Sequence, residues 1–184
     1  MKVVYVAKLV ILCLCIMCLP LSMSAQSQSS IAALGPVDTY FVTQTSLGTP
    51  FQVDSGNLAV TKGTTQAIRD YAQLMVSSHV AVNNELDAIL RKKPAVPPPT
   101  LLKAAYSTMI STLEYEDGKT FDADYITGQV NYQNANAALY KYEIANGADP
   151  DLKDFAKQTL PKIEDRLQRI KPSRWGAVAI TISL

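Results

Sequence analysis

TTQAIRDYAQLMVSSHVAVNNELDAILRKK, residues 64–93, decides the fold. Ile68, Ala72, Met75, His79, Val82, Leu86 and Ile89 recur in steps of four and three. An α-helix gathers such positions into one stripe facing one partner surface. Residues 94–99 (PAVPPP) then end the helix, because proline cannot continue the hydrogen-bond ladder and favours an extended connector. The pattern therefore predicts a long amphipathic helix with a single buried face.

The same reading extends to both sides. Upstream, Asp38 is a predicted N-cap, and helix-spaced apolar residues run from there to Lys62. Pro50 falls inside that stretch, after Gly48 and Thr49, and predicts a kink or break. Downstream, residues 100–113 predict a shorter helix, closed by an acidic turn at Glu114, Tyr115, Glu116, Asp117 and Gly118. Residues 121–145 carry Ile126, Val130, Gln133, Ala137, Tyr140 and Ile144 at the four-three spacing, and Asn146-Gly147 stops them. Asp149-Pro150 pairs a capping acid with a first-turn proline and opens another helix. Its stripe is Ala156, Leu160, Ile163, Leu167 and Ile170, with a bend expected at Pro161 and an end at Pro172. Residues 178–184 alternate branched apolar with small side chains and suit a lone strand. The expected fold is all-α: an antiparallel four-helix bundle over residues 37–171, with an extra short helix and a tail at 172–184.

Residues 1–25 read as a secretory signal peptide. Lys2 and Lys8 supply a basic start, and residues 9–19 (LVILCLCIMCL) form an apolar core. Pro20 breaks it ahead of the small residues Ser22, Ser24 and Ala25. The apolar run is too short for a spanning helix, so no transmembrane segment is expected after signal removal. Residues 26–36 read as a flexible leader. Cys13, Cys15 and Cys18 all lie in the signal, so the exported chain forms no disulfide. Met17 before Cys18 argues against lipid attachment there. Removing 25 of the 184 residues leaves 159, enough for one domain with its own core. Two of the 17 basic residues leave with the signal, so 15 stand against 16 acids, a net charge of −1. That balance excludes a nucleic-acid partner, which needs a basic patch. The expected location is the periplasm or cell envelope, with an envelope component or a second copy as the partner classes left open.

No chemical constellation emerges. His79 is the only histidine. Bundle di-iron sites use Glu-x-x-His pairs, and the chain has none. Without cysteine in the exported chain, a zinc-thiolate site is also excluded. The weak metal candidates are His79, Asp54 and Glu85; a core histidine satisfied by a neighbour is the better reading. Gln133 occupies the fourth-helix position matching His79 on the second, so the two are expected to form a buried polar pair that fixes register. Asp54 is expected to face inward beside His79, but no Gly-x-Ser-x-Gly supplies a nucleophile. The acidic run 114–117 lacks the calcium-loop spacing. Pro94 and Pro97 match a polyproline ligand pattern only formally. Tyr106, Tyr125, Tyr132, Tyr140 and Tyr142 are read as core and groove residues. The expectation is a non-enzyme with no catalytic residue and no cofactor.

Ala72-Gln73-Leu74-Met75-Val76, His79, Asn83 and Leu86 carry a resemblance, together with Phe41-Val42, Phe121-Asp122, Tyr125 and Gln129-Val130. Asp151-Leu152-Lys153, Phe155-Ala156 and Thr159-Leu160-Pro161 extend it. Over residues 38–167 the chain resembles the domain-of-unknown-function 4142 family, exported bacterial proteins with a ferritin-like helical bundle and no settled activity. The resemblance implies a metal-type centre built from an acid on the first helix and histidines on the second, fourth and fifth. Position by position, these fall on Gln52 (with Asp54 adjacent), His79, Gln133 and, on or beside it, Arg166. Only His79 keeps its ligand. The resemblance thus implies a bundle that retained the fold and lost the centre, acting as a structural, stress-related or binding module. A ferritin-like metal protein with a reduced site around His79 is the alternative.

Overall fold

The computed structural model describes residues 33–93 and 100–170. The predicted signal peptide, the proline connector at 94–99 and the tail beyond 170 lie outside the described residues, as does all but the end of the leader. Five α-helices account for the architecture: α1 Pro36–Lys62, α2 Gln66–Leu90, α3 Thr100–Tyr115, α4 Gly118–Asn146 and α5 Pro150–Arg169. Among the described residues there is no strand. The fold is all-α, as expected. None of these helices is long and apolar enough to cross a membrane.

Local chemistry explains most boundaries. The Thr65 hydroxyl accepts from the Ile68 amide and caps α2. Asp149 caps α5 by accepting from the Asp151 and Leu152 amides at 3.1 Å each, with Pro150 in the first turn. Gly118 takes φ 61°, a left-handed value that glycine adopts without strain, where the chain turns from α3 into α4.

Two expectations at α1 change. The helix begins at Pro36 with Gly35 as its cap, so Asp38 lies in the first turn instead of capping it. Pro50 does not break the helix, which runs on to Lys62. Proline leaves the Ser46 carbonyl without its helical donor, but Ser46 is only partly buried and water can satisfy it. Pro161 is likewise accommodated on an exposed face of α5.

α1 packs on α2 and α4 on α5; the pairs meet through α1 with α4 and α2 with α5, while α3 lies mainly on α1. The apolar core falls into two clusters. One gathers Phe41, Val82, Leu86, Tyr140, Leu152 and Phe155. The other gathers Ala59, Ile68, Met75, Phe121, Tyr125 and Ile170. Going along α1 or α5 the first cluster precedes the second, and along α2 or α4 the order reverses.

Candidate functional site

On each long helix buried polar residues lie between the two clusters. α1 contributes Gln52 and Ser55, α2 His79, α4 Gln129 and Gln133, and α5 Arg166. A polar layer therefore divides the core. Arg166 is 3% exposed, His79 2%, and Gln52 and Gln133 are fully enclosed. Such placement is unfavourable unless each group finds a hydrogen bond.

The bonds are incomplete. Gln133 accepts from Arg166 Nε at 3.4 Å and donates its amide to Met75 Sδ at 3.3 Å. His79 Nδ1 and Nε2 have no hydrogen-bond partner among the described residues, nor do the Gln52 amide oxygen and nitrogen. The His79–Gln133 hydrogen bond expected from the sequence is therefore not formed. Gln133 turns to Arg166, and His79 packs edge-on against Tyr132 with ring centroids 5.7 Å apart. The Tyr132 hydroxyl lies over Gly48, in space that any side chain at 48 would fill.

Burial governs the electrostatics. It drives the His79 pKa down to about 3, with the Arg166 charge adding to the effect, so the imidazole is neutral. Burial also raises Tyr140 and Tyr132 well above the ordinary phenol range. Arg166 is drawn below its usual value by burial, yet a guanidinium stays charged.

The other sequence-singled acids are elsewhere. Asp54 is exposed, which corrects the expectation that it faces inward beside His79. Glu85 is exposed and meets Lys162 at 3.7 Å. Among the described residues no three His, Cys, Asp or Glu side chains converge on a point where a cation could sit. Helical periodicity missed Arg166, Thr159, Asn136 and Glu143, all buried, because it scores inward positions by apolar character. The resemblance alone pointed to Arg166.

The chain matches the family described as Domain of unknown function (DUF4142) over residues 23–172. The chain belongs to it. No curated protein matches the chain. A solved structure, a crystal structure of a DUF305 fragment from Deinococcus radiodurans, aligns with TM-score 0.65 and 12% identity, covering 80% of this chain and 98% of that one. At that identity the likeness is one of fold.

The metal-type centre that the family resemblance implies does not fit the residues present. One neutral imidazole, two carboxamides and a permanent cation replace the acid and the imidazoles. Amides are poor ligands for transition metals, and Arg166 repels a cation.

Proposed function

We propose that this chain is an exported, non-catalytic protein with a ferritin-like four-helix bundle, acting as a structural, stress-related or binding module in the periplasm or cell envelope. One observation carries the reading: α5 presents Arg166, not an imidazole or acid, to the polar layer. A buried guanidinium works against metal chemistry there. His79 is held neutral and, among the described residues, has neither a carboxylate nor a nucleophile bonded to it, which argues against acid–base or acyl-transfer catalysis. The basic start, apolar core and small-residue exit of residues 1–25 support export.

Two measurements test this. Calorimetric titration with Fe(II), Mn(II) and Zn(II) is expected to give binding no tighter than about micromolar, since one histidine cannot close a coordination shell. Stoichiometric nanomolar binding that disappears in His79→Ala would establish the metal-protein alternative. Intact-mass measurement on exported protein is expected to place the mature terminus near Gln26. A mass retaining Cys18 with added acyl chains would show a lipoprotein instead.

A further inference from the structure

Among the described residues Arg166 has no counter-charge. Every Asp and Glu side chain of the protein lies among the described residues, and none is within ion-pairing distance of it. Its sequence neighbour Asp165 is taken by Arg169 at 2.6 Å. Among the described residues its hydrogen bond runs to the neutral Gln133. A guanidinium carries five N–H donors, so most of its capacity is unused by the described side chains. No Arg166 nitrogen is among the fully enclosed atoms left without a bond, and the residue lines an open cleft, so a nearly buried charge is placed where a ligand from solvent can neutralise it.

The surroundings supply an approach. A cleft of about 500 Å³ opens between α2 and α5, lined by Leu74, Ser78, Ala81, Glu85, Lys162 and Arg166 among others. That volume is in the range of small-molecule sites. Charges at its mouth cancel in pairs, Lys162 with Glu85 and Arg169 with Asp165. Behind Arg166 the layer is neutral: His79, Gln52 and Gln133 carry no charge, and both His79 nitrogens and the Gln52 amide are free to bond. The net result is one uncompensated positive charge at the floor of a cleft whose walls are electrically balanced.

We propose that Arg166 forms the floor of a binding site for one small, singly charged carboxylate that enters through the α2–α5 cleft. The planar guanidinium fork matches a carboxylate in two parallel hydrogen bonds. A single positive charge neutralises a single negative one; a dianion would leave an unpaired charge at the same depth, near Glu85 and Asp165. The Ser78 hydroxyl in the cleft wall offers a neutral donor to the outer part of the ligand. This assignment deepens the binding-module reading and rests on it, but its test is independent of the metal titration.

The experiment titrates purified protein with sodium formate and sodium acetate, against sodium sulfate at matched ionic strength, by calorimetry and by the unfolding midpoint. Formate and acetate are expected to bind saturably at one per chain, with sulfate at least tenfold weaker. Arg166→Gln is expected to weaken carboxylate binding at least tenfold. Ala81→Trp fills the mouth from an exposed helix position without touching the guanidinium, and the same loss is expected. Should Arg166→Gln fail to fold, Ala81→Trp decides alone. Equal responses to all three salts overturn the proposal, as does sulfate binding as tightly as formate. Carboxylate binding that survives either folded variant overturns it too. Tight metal binding with this pattern intact would sink the non-metal reading and leave the carboxylate site standing.

Discussion

Glu143 and His79 are both enclosed, and burial pushes their titrations in opposite directions. Desolvation, reinforced by the Asp38 carboxylate beside it, raises Glu143 from 4.5 to about 7. Desolvation lowers His79 from 6.5 to about 3. In each case the neutral form is the one the fold prefers. For Glu143 the stabilisation is complete below about 4.5 and is lost as pH rises through about 7. For His79 it is complete above about 6.5 and is lost as pH falls toward about 3. The two slopes oppose each other over the interval they share. Glu143→Gln, which keeps a neutral side chain of the same shape, is expected to unmask the histidine. Its stability should fall from pH 6.5 toward pH 4 more steeply than that of the parent, with a slope of up to about 1.4 kcal/mol per pH unit. His79→Leu should unmask the acid, giving greater stability at pH 5 than at pH 8. Urea melts across this range check both. A Glu143→Gln profile parallel to the parent's would mean that Glu143 is already ionised in the fold.

At the scale of elements, two buried aspartates tie each helical pair to the other. Asp38, in the first turn of α1, accepts from the Ala148 and Asp149 amides at 3.0 and 2.9 Å, clasping the α4–α5 turn. Asp122, near the start of α4, accepts from the Thr64 amide at 3.1 Å and from the Thr64 hydroxyl, clasping the α1–α2 turn. Each first helix therefore holds the turn of the opposite pair. Asp122→Ala or Asp38→Ala should cost about 1.5–3 kcal/mol, the range for hydrogen bonds to charged groups, and Asp122→Asn should recover part of the loss. Losses under about 0.5 kcal/mol in denaturant melts would show that water replaces the clasps without penalty. Helix α2 was readable from the sequence because its inward positions are apolar apart from His79: Ile68, Ala72, Met75, Val82 and Leu86 are all buried. On α5 the predicted stripe is displaced toward one edge. Ala156, Ile163 and Ile170 are buried, but Leu160 and Leu167 are only partly so, and Thr159 and Arg166 hold the inward slots beside them. Periodicity cannot distinguish an inward polar residue from a solvated one; long-range partners decide that. The clasps were hidden for the same reason, since Asp38 and Ala148 stand 110 residues apart.

Across the whole molecule, the polar layer is a cost carried by an otherwise apolar core. The clusters on either side contain interlocked aromatics, among them Phe41 edge-on to Tyr140 at 4.9 Å and Phe121 stacked on Tyr125 at 6.0 Å. Nothing in their packing requires a charge between them. Replacing a buried charged or polar set by apolar residues of similar volume is often neutral or stabilising by about 1–4 kcal/mol. Changing Gln52, His79 and Gln133 to Leu, together with Arg166→Met, should therefore raise the urea midpoint at unchanged m-value. Proteins keep such destabilising groups where function needs them, so the same variant should lose formate binding while gaining stability. A purely architectural layer predicts the reverse. If the four side chains fix helix register, the apolar variant would show a lowered midpoint or a broadened transition of small m-value, because the long helices could then slide past one another. A stiffer, sharper-melting variant that no longer responds to carboxylate would identify the layer as a site carried at the expense of stability, with Arg166 as the group for which that expense is borne.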